Sequence, residues 1–245
     1  MNSNMKKYTF LIFTFVCFWT MAQESGPIVT DRPTQSAAAS TVGKSRFLIE
    51  TGFIFENTNE FSDYLNFNTL IRYGISDRVE VRLLANYDRT DGDDFIVSSI
   101  GSTGIGTKVF LVDNENAFAD ISVIGQINLP TGDENDEATG EIRFNFANTL
   151  SSEFSLGYNL GFFVSPDREN EVSPFYSIVL GVAIVERLTA FVEPYGFLNE
   201  PTDHRINAGL IYLLNNRFQL DISGGLGLAE NSPESFVGFG VALGF

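Results

Sequence analysis

The chain has 245 residues, 31 of them acidic and 15 basic, and a formal charge of −16. Nucleic-acid binding requires a basic surface, so this charge argues against it. It argues equally against docking on anionic lipid through basic clusters.

The first 22 residues have the pattern of a cleaved secretory signal peptide. Lys6 and Lys7 precede a nearly continuous apolar run over 8–22, and Ala22 is a small residue suited to cleavage. The run is shorter than the roughly 20 residues of a transmembrane helix, and an N-terminal anchor is the alternative. Cleavage removes the only Trp and the only Cys, Cys17, and lowers the formal charge to −18. The mature chain then has no thiol for a disulfide, a metal site or a nucleophile.

Residues 23–44 are irregular and contain several turn-forming positions, such as Gly26-Pro27 and 30–33. About twenty residues at roughly 3.3 Å each can thread a barrel from end to end. One prediction is a lumen plug in which Asp31 and Arg32 pair with charges of the inner wall. The other is an unstructured periplasmic tail.

Residues 45–245 alternate between apolar and polar positions in segments of about ten residues. Successive strand residues point to opposite faces, so this pattern predicts an all-β, transmembrane, antiparallel up-and-down β-barrel of about 12 strands. A soluble β-sandwich is the alternative. The predicted strands are 45–56, 64–74, 79–89, 105–112, 118–129, 141–150, 154–164, 174–185, 188–198, 204–214, 217–228 and 237–245.

The last predicted strand places large apolar side chains on one face and only Gly or Ala on the other. It ends on Phe245 and resembles the closing strand of Gram-negative outer-membrane barrels. That resemblance implies that Phe245 is read by the barrel-assembly machinery.

Connection lengths alternate between tight turns and longer, often acidic segments at 91–104, 131–140, 166–173 and 230–235. Bacterial barrels alternate short periplasmic turns with longer outer loops, so both termini are predicted to be periplasmic. A closed barrel is the only β-structure that satisfies its backbone within a bilayer. Most of the 24 Phe are then expected to contact outer-membrane lipid and lipopolysaccharide.

The face predicted to point into the barrel carries charges of both signs. The inward set is Arg46, Arg72, Arg82, Lys108, Arg143, Arg205, Glu50, Glu80, Asp120, Glu193 and Asp221. All except Arg46, Glu80 and Asp120 are taken as candidates for a lumen site that a solute contacts. A salt-bridge network that merely fills the barrel is the alternative. Glycines of the last strands favour free volume along one wall.

Several short motifs, in their order, resemble one family. They are Thr30-Asp31-Arg32-Pro33, Glu50-Thr51-Gly52, Gly106-Thr107-Lys108, Leu129-Pro130-Thr131-Gly132 and Gln219-Leu220-Asp221. The chain resembles the outer-membrane transporters called "MetA-pathway of phenol degradation", and more distantly the long-chain fatty acid transporters. The resemblance implies uptake of small, often aromatic or hydrophobic compounds. It singles out Lys108, Glu50, Glu193 and Asp221 as lumen candidates and supplies no catalytic residue.

Other chemistry has weaker support in the sequence. A rim enzyme would need a base, and the only His is His204. The acidic clusters 91–94 and 133–137 could hold divalent cations against lipopolysaccharide phosphates, although solvated loops are the simpler reading. The stretch 101–106 lacks the spacing of a nucleotide-binding loop and is predicted to be a loop that enters the fourth strand.

The sequence therefore predicts a monomeric channel in the Gram-negative outer membrane that passes small solutes passively. It predicts no catalytic residue, cofactor or metal. The alternatives are a closed structural or adhesion barrel and, third, a lipid-modifying enzyme.

Overall fold

The computed structural model describes residues 26–57, 63–91, 96–115, 117–129, 138–165, 171–199, 202–230 and 232–245. The predicted signal peptide lies outside the described residues. The strands are β1 (Phe47–Asn57), β2 (Asp63–Ser76), β3 (Val79–Asp91), β4 (Ile96–Val112), β5 (Asp120–Leu129), β6 (Thr139–Thr149), β7 (Phe154–Ser165), β8 (Glu171–Val185), β9 (Leu188–Phe197), β10 (Asp203–Asn215), β11 (Phe218–Gly227) and β12 (Ser235–Gly244). Nowhere in these ranges is there a helix long and apolar enough to cross a membrane.

Each strand pairs antiparallel with its neighbours in sequence, and β1 pairs with β12, so the sheet closes into a barrel. At the closure Phe47 and Phe245 exchange both backbone hydrogen bonds. Closure leaves no edge strand with unpaired backbone groups, which a bilayer would not tolerate. The predicted twelve-stranded antiparallel barrel is confirmed.

The two faces of the wall have opposite polarity. Large apolar side chains are exposed outward on every strand, for example Phe53, Ile105 and Leu160. The largest fully buried side chains are all polar: Arg72, Lys108, Gln219, Glu50, Glu80, Glu193, Asn145, Asn159, Ser122 and Ser177. A sandwich would bury its apolar face instead, so this inversion excludes the soluble alternative.

β4 begins at Ile96, earlier than predicted, and the expected loop at 91–104 is mostly strand. Gly101 and Gly104 belong to this strand. A Cβ at either would collide with a polar side chain of the adjacent strand, Asp88 or Asn128. The glycines therefore make room for neighbouring side chains inside the barrel, which the sequence pattern alone does not distinguish from a loop.

The two rims differ in their connections. Two-residue turns at 77–78, 186–187 and 216–217 lie at the rim where β1 begins and β12 ends, here called the turn rim. The connections from β4 to β5 and from β6 to β7 also lie at the turn rim. The opposite rim, called the loop rim, joins β1 to β2, β3 to β4, β5 to β6, β7 to β8, β9 to β10 and β11 to β12. Much of these loop-rim connections, including the acidic cluster 133–137, lies outside the described residues.

Candidate functional site

Residues 26–46, here called the plug segment, lie inside the turn-rim half of the barrel. The segment enters at the turn rim, where Ile28 N–H donates to the Asn216 carbonyl, and leaves beside Asp77, which accepts from Lys44 N–H. Between these points it contacts side chains of strands on all sides of the lumen. The segment therefore spans the width of the lumen in this half of the barrel and does not thread it from end to end.

Glutamates of the inner wall hold the plug backbone. Glu50 Oε2 accepts from two consecutive backbone N–H groups, of Asp31 at 2.8 Å and Arg32 at 3.0 Å. Glu193 accepts from Gln35 N–H at 2.9 Å and Ser36 N–H at 2.7 Å. These bonds satisfy plug donors that would otherwise be buried unpaired.

A third glutamate acts in the same way near the end of the plug segment. Glu80 Oε2 accepts from Val42 N–H at 2.9 Å, and its other oxygen contacts the guanidinium of Arg72 at 2.8 Å. Glu80 was assigned to the inner face but was not among the site candidates. Its contacts make Glu80, like Glu50 and Glu193, a wall residue that holds the plug backbone.

Asp31 lies at the centre of three cations of the inner wall. Its carboxylate is 2.8 Å from Arg82, 3.2 Å from Lys108 and 3.5 Å from Arg72, and it also accepts from Ala38 N–H. Burial alone would raise the pKa of Asp31, but these cations together hold that pKa well below its usual range. Asp31 thus stays ionised, and its ion pairs attach the plug segment to β2, β3 and β4.

Arg32 extends towards the adjoining wall of β11, β12 and β1 and occupies a notch between two glycines. A Cβ at Gly52 or Gly240 would collide with its guanidinium. The guanidinium donates to Asp221 at 3.1 Å, to Asn68 at 3.2 Å and to a backbone carbonyl of β12 at 3.0 Å. The free volume expected beside the glycines of the last strands is, at Gly240, filled by the plug segment itself.

The remaining two candidates lie between the plug segment and the loop rim, a region here called the outer lumen. Arg143 donates to the plug carbonyl of Gln35 at 2.7 Å and stacks over the Phe175 ring at 4.5 Å. Arg205 contacts Asp203 at 2.8 Å and Glu56 at 2.7 Å. Six of the eight lumen candidates therefore surround the plug segment, which itself carries Asp31 and Arg32, and Arg143 and Arg205 lie above it, with Arg143 at its boundary.

An aromatic cluster on the inner wall of the outer lumen was not predicted from the sequence. Buried Phe175, Tyr195 and Phe236 are joined by half-buried Phe163 and Phe197, with ring centroids 5.4 to 6.5 Å apart. The available signal was strand eight, which is apolar on both faces and therefore cannot have a purely polar inner side.

The wall across from this cluster, on β2 to β5, is polar. Tyr64 and Asn66 both donate to Asp88 Oδ1, at 2.6 and 2.7 Å. Gln126 donates to Asn128 at 2.8 Å on the same face. The outer lumen thus offers apolar rings on one side and hydrogen-bonding groups on the other.

The geometry around His204 does not assemble a nucleophile and base. The Ser232 hydroxyl donates to Asp203 at 2.7 Å and also contacts the His204 carbonyl, whereas the His204 ring is 3.2 Å from the Tyr176 hydroxyl on the outer face. Within the described ranges no group of three or more His, Asp or Glu side chains is arranged to hold a metal ion.

The family model described as "Putative MetA-pathway of phenol degradation" matches residues 30–245. The chain belongs to this family. The match covers the plug segment from Thr30 onward and the whole barrel of this MetA-pathway protein. No curated protein sequence is significantly similar to it.

Several solved structures share the fold of this MetA-pathway protein at low sequence identity. An outer-membrane channel from Pseudomonas putida F1 has a TM-score of 0.68 at 10% identity, over 87% of this chain and 100% of the channel. The KdgM porin in complex with disordered oligogalacturonate has a TM-score of 0.59 at 9% identity, over 81% and 99%. The NanC porin has a TM-score of 0.54 at 9% identity, over 80% and 98%. The protein is therefore a porin-like barrel of the outer-membrane type.

Proposed function

We propose that the protein is a monomeric outer-membrane channel for passive passage of small solutes, with aromatic or hydrophobic compounds as its cargo. The observation that carries this proposal is the two-sided outer lumen. The half-buried rings of the aromatic cluster, Phe163 and Phe197, lie on one wall, and polar groups such as Asp88 and Asn128 lie on the other. Aromatic solutes with one polar group would contact both walls.

The plug segment would hold this channel closed at rest. Its contacts with the wall are mainly hydrogen bonds and ion pairs, as at Glu50, Glu193 and Asp221. Water can replace such partners when the segment moves, whereas an apolar core would lose its packing. The family description, which names phenol degradation, supports aromatic cargo for the same lumen.

The test is the single-channel conductance of the refolded mature protein in a planar bilayer, compared with a variant that lacks residues 24–40. We expect small or infrequent steps from the intact protein and larger, sustained steps from the deletion variant, because the deletion removes the segment that crosses the lumen. A folded deletion variant with no conductance would overturn the channel proposal.

The cargo is tested separately by uptake of phenol and of glycerol into cells that produce the intact protein or its Phe163→Leu and Phe197→Leu variants. We expect the variants to slow phenol uptake and to leave glycerol uptake unchanged, because Leu keeps an apolar side chain at the position but not the ring face. Equal phenol uptake by all proteins would contradict aromatic cargo while leaving the channel intact.

The runner-up is a closed barrel with a structural role. It is favoured by the ion pairs around Asp31 and Arg72, which are buried and fill the turn-rim half of the lumen. This reading predicts that the plug deletion unfolds the barrel instead of opening it. Heat-dependent migration of the unboiled protein on a gel separates the two outcomes.

A further inference from the structure

The charges of the inner wall are unequal in the outer lumen and nearly balanced at the plug segment. Around the plug, Asp31, Glu50, Glu80, Glu193 and Asp221 face Arg32, Arg72, Arg82 and Lys108. In the outer lumen, the inward charged positions of the described strands are Glu56, Asp88, Glu141, Glu171, Asp203, Arg143 and Arg205. Within these described strands, the outer lumen therefore has five carboxylates and two guanidiniums.

Each guanidinium of the outer lumen neutralises, at most, the charge of the carboxylates that it contacts. Arg205 contacts both Asp203 and Glu56, so one positive charge faces two negative ones. Arg143 Nε lies 2.7 Å from Glu141 Oε1, and these two cancel each other. The remaining excess is negative.

Asp88 contributes a negative charge that its hydrogen-bond donors do not neutralise. The donors are the Tyr64 hydroxyl and the Asn66 amide, which are both neutral. Its side chain is half-buried on the polar wall and faces the lumen. Among the described residues, the Asp88 carboxylate therefore has no ion pair with a cation beside the path that a solute would follow.

Charges in such a place act over the width of the lumen. The Debye length is about 8 Å at physiological salt, and the low-dielectric wall of the barrel concentrates the field in the water-filled space. Rings of carboxylates are the usual means by which channels favour cations. A net negative outer lumen raises the local concentration of cations and lowers that of anions.

We propose that the outer lumen selects solutes by charge, admitting cationic and neutral compounds and disfavouring anions, with Asp88, Asp203 and Glu56 as the specificity-determining residues. This inference rests on the proposed channel function and narrows its cargo. An aromatic alcohol or amine fits this lumen, whereas an aromatic carboxylate is repelled from it.

The test is the reversal potential of single channels under a gradient of KCl, measured on the intact mature protein and on the variant that lacks residues 24–40. We expect potassium to permeate better than chloride in both proteins. Asp88→Asn removes a charge without breaking an ion pair and should lower the permeability ratio of potassium to chloride by roughly two- to threefold. Arg205→Gln should change the ratio in the opposite direction.

Glu186→Gln is the matched control, because this carboxylate is exposed in a turn at the other rim. It should leave the reversal potential unchanged. Chloride preference, or an Asp88→Asn variant identical to the control, would overturn the charge selection and leave the channel standing. Absence of current from both preparations would overturn the proposed function, and the charge selection with it.

Discussion

A methyl group added at Gly240 should have a different effect from one added at Gly125, because only Gly240 borders a side chain of the plug segment. Gly240 borders the Arg32 guanidinium, and the Asp221 carboxylate that Arg32 contacts is fully buried. Gly240→Ala should displace the guanidinium and cost the docked plug segment about 2 kcal/mol, the worth of one hydrogen bond to a charged group. We expect more frequent channel openings in single-channel recordings.

Gly125→Ala is the same chemical change at an outward position where a Cβ would meet open space. This variant should gate like the parent protein, because it contacts neither Arg32 nor the plug segment. If Gly240→Ala folded and opened no more often than Gly125→Ala, the notch would not hold the plug. Alternation places Gly240 on the inner face, but nothing in the strand indicates that Arg32 of the plug segment fills the space beside it, so this role could not be predicted from the sequence.

At the scale of the element, the plug segment is held at separate points along its backbone. Glu193→Gln keeps one acceptor oxygen but turns an amide donor towards the paired N–H groups of Gln35 and Ser36. Leaving a buried donor unpaired costs about 1–3 kcal/mol. Hydrogen exchange of the Gln35 and Ser36 amides should accelerate in this variant, while that of Asp31 and Arg32, held by Glu50, should stay slow.

Glu153→Gln, at an exposed turn, is the matched control and should alter neither pair of amides. Uniformly faster exchange along the whole segment in Glu193→Gln would contradict independent attachment points.

The strands themselves were predicted well because alternation is local, and most predicted bounds agree with the structure within a few residues. The path of the plug segment depends on partners such as Asn159 and Glu193, more than a hundred residues away, which no local pattern encodes.

At the scale of the whole molecule, the predicted barrel followed from counting strands, but the contents of the lumen did not. The inward charges Glu50, Arg72 and Asp221 were assigned correctly to the inner face by their alternation. The aromatic cluster at Phe175 was missed because an apolar inner face and an apolar outer face are indistinguishable within one strand. Facing becomes clear only when the register to β7 and β9 is fixed.

Phe245 closes the barrel against Phe47, and an experiment can separate this contact from the predicted recognition of its ring by the barrel-assembly machinery. Phe245 exchanges backbone bonds with Phe47, and the two rings lie 6.2 Å apart on the outer face. Phe245→Ala keeps the backbone bonds, so the purified chain should refold into detergent as the parent does, losing only the ring contact of about 1 kcal/mol. If the ring is also read by the assembly machinery, the same variant should be depleted from the outer membrane of producing cells.

Leu243→Ala, on the same face of β12, is the control for loss of apolar surface at this end of the strand. Its membrane level should fall much less than that of Phe245→Ala. Equal loss for both variants in cells would indicate that lipid-facing apolar area, not a signal at Phe245, decides assembly. Equal loss on refolding in detergent would indicate that closure of the barrel itself requires the ring, because no assembly factor is present in that measurement.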